Sequence, residues 1–205
     1  MKIAVIGANG KTGQVFVNEA VQRGFEVRAG VFRTNSFKKS DYIDVMQCDA
    51  TKLEDVEKLI EGCDVVVSLI GHVKGSPAFL QTSSTANILS AMKKHNMSRV
   101  MSLTGTGVRI PGDTPSLVDK MLNIAVKLAD PERIVDGIAH ADVLRESDLD
   151  WTLLRVLKLT DLPLHKYALS SGGPARLLVS RHVVADALLK IVADKTYIKK
   201  APVVS

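Results

Sequence analysis

The sequence predicts an α/β protein built on one doubly wound parallel sheet. Three observations carry that prediction. Short apolar runs alternate with segments of helical period almost to the end of the chain, the sequence form of repeated βαβ units. The first such run, Ile3-Ala4-Val5-Ile6, leads straight into Gly7-Ala8-Asn9-Gly10-Lys11-Thr12-Gly13. Composition is that of a folded domain, with 205 residues, 46% hydrophobic and 24% charged.

Each element follows from its own pattern. Residues 2–6 form the first strand, and Phe16, Val17, Ala20 and Val21 give the next helix its inward face. Gly24 stops that helix in a left-handed conformation. Residues 26–32 and 43–48 are the second and third strands. Leu53, Val56, Leu59 and Ile60 line a short helix that Gly62 ends, and residues 64–70 are the fourth strand. Residues 78–95 form a helix facing inward through Leu80, Ala86, Leu89 and Met92, with Asn96 as its left-handed stop. The fifth strand is 99–104. A helix over 132–147 is expected to bury Ile134, Ile138, Ala141 and Leu144, leaving His140 solvated or locally bonded. The sixth strand is 151–156. Residues 157–180, with Pro163, Gly172, Gly173 and Pro174, read as a substrate-side excursion from a single domain spanning 1–205. A last helix over 183–193 and a short edge strand in 201–205 complete the chain.

Bulk properties narrow the partners. Lys and Arg number 27 against 22 Asp and Glu, a net charge of +5 that favours anionic ligands without the basic stripe a nucleic-acid binder needs. Cys48 and Cys63 lie in or beside strand-like runs and read as buried free thiols of a reducing, cytoplasmic protein, with no metal pair. No apolar run is long enough to span a bilayer, and Met1 leads into a strand with no room for a signal peptide. A small-molecule acceptor is the expected partner, and the chain is expected as a monomer or homodimer.

The glycine turn identifies the ligand class. Small residues let backbone approach a pyrophosphate, and the N–H groups of the following helix present partial positive charge to it. The glycines fall three apart, a variant of the dinucleotide-binding strand-turn-helix device. Ligands of such sheets lie across the carboxyl ends of the strands. After the second strand stands Arg33, in Phe32-Arg33-Thr34-Asn35-Ser36 with Lys38 and Lys39 behind, where an acid would repel a 2′-phosphate. An arginine fork there favours NADP(H) over NAD(H). Asp49, after the third strand, reads equally as an acceptor for the adenine amino group or as a helix cap. Ile70-Gly71-His72 ends the fourth strand; His72 reads as a participant in the chemistry or as a structural histidine, and Lys74 as a contact to phosphate or substrate. Leu103-Thr104-Gly105-Thr106-Gly107 ends the fifth, where a Thr hydroxyl would orient a substrate oxygen or the turn would simply leave the sheet.

Taken with Cys48-Asp49-Ala50, the run from Ala86 to His95, Val143-Leu144-Arg145-Glu146-Ser147-Asp148-Leu149 and Ser180-Arg181-His182-Val183-Val184, these motifs resemble the atypical short-chain dehydrogenase/reductases of the NmrA-like group, nearest the biliverdin-IXβ reductase/flavin reductase type. The resemblance covers essentially the whole chain. It implies a Rossmann fold and a bound NADPH. Its contacts would come from Gly7, Asn9, Gly10, Lys11, Thr12, Gly13, Arg33, Asp49 and Ala50. The strand ends Ile70, Gly71, His72, Lys74, Leu103 and Thr104 would supply the rest. It further implies hydride transfer to a flavin, quinone or similar planar acceptor, with flavin as substrate rather than prosthetic group.

The chain departs from that pattern at the chemistry. Gly105 stands where the flavin reductase type has a serine, Ala141 where it has a histidine, and Val156-Leu157-Lys158 where it has a proline-rich strand end. The Tyr-x-x-x-Lys pair usual in this architecture is also missing, since Tyr42, Tyr167 and Tyr197 precede Met46, Ser171 and Ala201 by four residues. Thr106 and His140 are the remaining candidates for a catalytic side chain, with Lys158 or water as other proton sources. Flavin reduction tolerates these losses best, because a reduced flavin holds its anion and collects a proton from water. An NADP(H)-binding regulator or redox sensor without turnover is the alternative.

Overall fold

β1 (Lys2–Ile6) opens the chain, and its successors build a sheet whose strands are buried on both faces. The computed structural model describes residues 1–33, 35–38, 40–72, 75–163 and 166–205. The other strands of the main sheet are β2 (Glu26–Val31), β3 (Ile43–Gln47), β4 (Val65–Ser68), β5 (Arg99–Gly105), β6 (Asp150–Val156), β8 (Leu169–Ser170) and β10 (Val203–Val204). Among the described residues their order is β3-β2-β1-β4-β5-β6-β10-β8, with every pairing parallel except that of β10 with β8. β7 (Leu159–Thr160) pairs in parallel with β9 (Val179–Ser180) apart from it. Strand order reverses between β1 and β4, which places a topological switch point at their carboxyl ends.

Helices cover both faces, so the central strands are apolar throughout rather than alternating, as in Val65-Val66-Val67 of β4. On one face α1 (Lys11–Gln22) and α6 (Arg181–Asp194) bury Phe16, Val17, Ala20, Val184, Leu188 and Ile191 against Ile3, Val5, Val67 and Leu154. On the other, α2 (Leu53–Ile60), α3 (Leu80–Lys94) and α5 (Pro131–Arg145) pack Val56, Ile88, Met92 and Leu144 against Ala4, Ile6, Val66 and Leu153. α1 and α3 end, as expected, in left-handed residues, Gly24 and Asn96. Cys48 and Cys63 are buried free thiols; burial first, then Asp55 and Asp49 nearby, push the Cys48 thiol up to about 12, so it stays protonated.

Two expectations are corrected. Residues 201–205 do not form the sheet edge: β10 joins β6, and the chain between β7 and β9 supplies β8 to pair with its outer side. The excursion thus closes an edge that would otherwise present unpaired backbone groups. α5 buries Ala141 and Leu144 as expected, but Asp136, Gly137 and His140 are also inside and Ile138 is exposed. Hydrogen-bond partners on α3 and β5 override the apolar periodicity there.

The loop after β5 is fastened by a buried ion pair. Arg155 on β6 forks onto Asp113, Nη1 to Oδ2 at 2.5 Å and Nη2 to Oδ1 at 2.8 Å, and donates further to the carbonyls of Ala201 and Val108. Side-chain exposure is 1% for Arg155 and 6% for Asp113. Burial pushes the Asp113 carboxyl up, but the Arg155 hydrogen bonds, the Ile110 N–H and the cationic charge outweigh it and hold it below the ordinary range. Its contribution is therefore complete above the ordinary Asp range and lost as pH falls through the folded value. Asp113→Ala strands the guanidinium and is expected to cost about 3–5 kcal/mol in urea unfolding at neutral pH, and Asp113→Asn less.

Candidate functional site

The glycine turn is shaped by contacts that admit no side chain. Gly7 has φ +78°, and the Gly10 N–H closes the turn on the Gly7 carbonyl at 3.1 Å. A Cβ on Gly13 would lie 2.3 Å from the Gly7 oxygen and 2.5 Å from that of Ala8, so α1 meets the turn backbone to backbone. A Cβ on Gly7 would meet the Leu69 and Ile70 backbone at 3.1 Å, which brings the β4 exit against the turn. No side chain caps α1, and its first ladder bond is Gln14 N–H to the Gly10 carbonyl at 2.9 Å. The N–H groups of Lys11, Thr12 and Gly13 therefore face the strand ends as an anion site. Asn9 Oδ1 is buried without a protein partner, while Gln14 Nε2 holds the Asn9 carbonyl at 2.8 Å. These features fit a dinucleotide diphosphate, with Asn9 an acceptor for a ligand hydroxyl.

Beyond β2 the Arg33 guanidinium lies over the Phe32 ring, 5.0 Å from its centroid, with Phe32 itself exposed. Among the described residues no carboxylate pairs with Arg33 or Lys11. Thr34 and Lys39 beside this loop, and the candidate Lys74, lie outside the described residues. Asp49 has one oxygen committed: Oδ1 accepts from Thr51 N at 3.0 Å and Thr51 Oγ1 at 2.7 Å, an Asx turn into α2. Its Oδ2 accepts no protein donor among the described residues. The Ala50 carbonyl is taken by Asn87 Nδ2 at 3.0 Å.

At the β4 exit the Ile70 carbonyl accepts from Gln81 Nε2 at 2.8 Å, Gly71 is exposed, and His72 Nε2 meets Asp136 Oδ2 at 2.6 Å. Asp136, 0% exposed, also accepts the N–H groups of Gln81 and Thr82 and the Thr82 hydroxyl. Burial alone would raise this carboxyl; the hydrogen bonds from Thr82, Gln81 and His72 outweigh it and keep it ionised, below its ordinary value. Sequence reasoning did not single out Asp136. Its signal was an acid four residues before His140 inside a helix whose neighbours are apolar.

The two catalytic candidates are placed away from the crevice. Leu103 points into the α1/α6 face, and Thr104 lies under α5 near Gly137. Thr106, 1% exposed, donates to Asp119 Oδ1 at 2.8 Å and accepts from Asn123 Nδ2 at 3.1 Å, so its hydroxyl anchors α4 (Leu117–Ala129) instead of facing a substrate. Arg109 completes that cluster on Asp119 Oδ2 at 2.8 Å. His140, 1% exposed, bonds Ser102 Oγ through Nε2 at 2.9 Å beneath the sheet and leaves Nδ1 unpartnered. Burial lowers its pKa to about 4 despite the opposing charge of Asp136, so it is neutral at physiological pH and sealed from the crevice. On α4, Leu117, Met121, Ile124 and Leu128 face outward. A separate hollow of about 300 Å³ between α1 and α6 is lined by Glu19, Arg23, Tyr167, His182 and Asp186. Its charges neutralise one another and tie Tyr167 of the excursion to α6.

Gly13→Ala, which must displace the turn, is expected to weaken NADPH binding about tenfold or more by calorimetry. For His140 the unfolded chain binds the extra proton between its ordinary 6.5 and the folded value near 4. Stability from this group is complete above pH 6.5 and falls by about 3 kcal/mol as pH drops to 4. Urea titrations of His140→Gln should lose that part of the slope.

Among the described residues no group of His, Cys, Asp and Glu is arranged to hold a metal, and no helix is long and apolar enough to cross a membrane. The Bacillus subtilis (strain 168) protein YwnB, uncharacterized, is 30% identical over 109 residues, covering 52% of this chain and 48% of that one. The chain spans about half the length of the curated relatives it matches. A short-chain dehydrogenase/reductase of wide type from Veillonella parvula DSM 2008, solved in complex with NADP, superposes with a TM-score of 0.83 at 20% identity over 100% of this chain and 94% of that one. A candidate NADH-flavin reductase from Streptococcus pneumoniae TIGR4 gives 0.78 at 22%, over 100% and 98%. These structures establish a Rossmann-like fold. The family model described as NAD(P)H-binding matches residues 7–195, and with its uncapped helix, glycine contact and strand order this chain belongs to that NAD(P)H-binding family.

Proposed function

We propose that the protein is a reductase that binds NADPH in preference to NADH and passes a hydride to a flavin, quinone or similar planar acceptor. The observation that carries the reading is the Arg33 guanidinium beside Phe32, paired with no carboxylate among the described residues, at the strand end where a 2′-phosphate would arrive. Lys11, the α1 N-terminus, Asn9 and Gly13 would hold the diphosphate, and the free Oδ2 of Asp49 would accept from the adenine amino group. A helix N-terminus stabilises an anion by about 0.3–1 kcal/mol, and each charge-assisted hydrogen bond adds about 1.5–3 kcal/mol. When bound, reduced nicotinamide supplies the hydride. The chain's own contribution is to set a planar acceptor against it at about 3–3.5 Å and keep water out. The NADP held by the Veillonella protein agrees with the coenzyme, and the NADH-flavin reductase description of the Streptococcus protein agrees with the acceptor class while naming the other coenzyme.

The buried, bonded states of Thr106 and His140 favour a second reading, an NADP(H) sensor without turnover. NADPH absorbance followed with FMN, a quinone and an aldehyde separates the two: tight binding without acceptor-dependent oxidation selects the sensor. Arg33→Asp is expected to weaken NADPH by about tenfold to a hundredfold and NADH by less than about threefold in calorimetric titrations. Equal losses for both nucleotides would remove the phosphate role.

A further inference from the structure

We infer that His72, held by the positioning residue Asp136, is the proton donor of the site, and that this makes a quinone the productive class of acceptor. The inference rests on the reductase reading above and deepens it. His72 follows β4 directly, and β4 flanks the switch point beside β1. Asp136 stands in the second turn of α5, and α3 starts against it; both helices begin at the carboxyl end of the sheet because each returns the chain to the start of the next parallel strand. The pair therefore sits at the crevice mouth.

The hydrogen bonds assign the roles. Asp136 Oδ2 also accepts the Gln81 N–H at 2.8 Å, and Oδ1 accepts the Thr82 N–H at 2.9 Å and the Thr82 hydroxyl at 2.6 Å. A carboxylate so surrounded by donors is ionised and acts only as an acceptor toward the ring, so His72 Nε2 donates. Nδ1 is left as the nitrogen that exchanges a proton, and it carries no hydrogen bond among the described residues. Side-chain exposure is 9% for His72 and 1% for Asp136, so the carboxylate is the more deeply shielded member of the pair. Asp136 holds one tautomer and fixes the orientation of the ring, the work a buried aspartate does behind a catalytic histidine.

The step balances with groups already named. Reduction delivers a hydride, two electrons and one hydrogen nucleus, to one quinone oxygen. The second oxygen, left as a phenolate, forms its O–H bond with the proton from Nδ1 as that N–H bond breaks. The quinone becomes hydroquinone, reduced nicotinamide is oxidised, and neutral imidazole recovers a proton from solvent. A flavin needs this proton less, because its reduced anion persists in water. His72 thus fills the position left open by the missing Tyr-x-x-x-Lys pair, from the β4 side of the crevice.

Two measurements test the dyad. Nitrogen-correlated NMR of the ligand-free protein is expected to give one histidine Nε2–H resonance at unusually low field, lost in His72→Gln and displaced in Asp136→Asn. In turnover with NADPH, His72→Gln is expected to lower kcat for a soluble 1,4-benzoquinone by about 100-fold, at least tenfold more than for FMN, with KM for NADPH little changed. The solvent deuterium effect on quinone reduction should change with it. A resonance indifferent to Asp136→Asn, or equal losses for quinone and FMN, would overturn the dyad. Failure of the wild-type protein to oxidise NADPH with any acceptor would overturn the reductase reading, and the NMR arm would still decide whether the imidazole and carboxylate are joined.

Discussion

The carboxylate of Asp136 fixes the mouth of the crevice. It lies on α5, yet its acceptors are spent on α3 and on the β4 exit. α3 has no cap of its own, since its N-cap residue Phe79 sits in the left-handed region without a side-chain bond. Asp136 supplies that cap from a distant element, placing negative charge where the helix dipole favours it. A single buried charge therefore decides how α3 and α5 are set against each other and where His72 lies. Removing it would leave the N–H groups of Gln81 and Thr82 at the start of α3 without their acceptor, the situation that makes such hubs costly to alter.

The sheet was legible because burial on both faces turns central strands such as β1 and β4 into apolar runs, and because the helix stops at Gly24 and Asn96 rest on local backbone preference. The phosphate turn was legible for the same reason, since the close approach of Gly13 to Gly7 is a property of residues six apart. What failed depended on partners distant in sequence. Counting apolar residues placed Ile138 inside and left His140 outside; Ser102 and the start of α3 reverse that, and neither is visible from residues 131–145 alone. Thr106 read as a free hydroxyl because its acceptor, Asp119, stands 13 residues on. The position of β10 inside the sheet required pairing by the excursion, which no local pattern announces.

Charge is distributed unevenly along the strand ends. At β5 and β6 two cations have acids, Arg155 on Asp113 and Arg109 on Asp119. After β1 and β2, Lys11 and Arg33 have none among the described residues, and the α1 N-terminus adds its partial charge. A net charge of +5 is small for the whole chain, but Lys11, Arg33 and the helix end put positive charge at one end of the crevice. An extended anion is thereby given a direction as well as a site, phosphates toward β1 and β2, with the uncharged end left toward β4 and β5.

The two ends are also held by different forces. Around the phosphate turn, backbone packs on backbone over the apolar core of α1, and little can move without collision. On the acceptor side α4 is attached the other way round: it buries Asp119, which with Asn123 bonds Thr106, while Leu117, Met121, Ile124 and Leu128 remain outside. Its attachment is a few polar bonds with almost no buried apolar area. An element held so lightly opens at lower cost than the rest of the fold. The proposed reductase would use that asymmetry, gripping one ligand of fixed shape in register while acceptors enter and leave beside it.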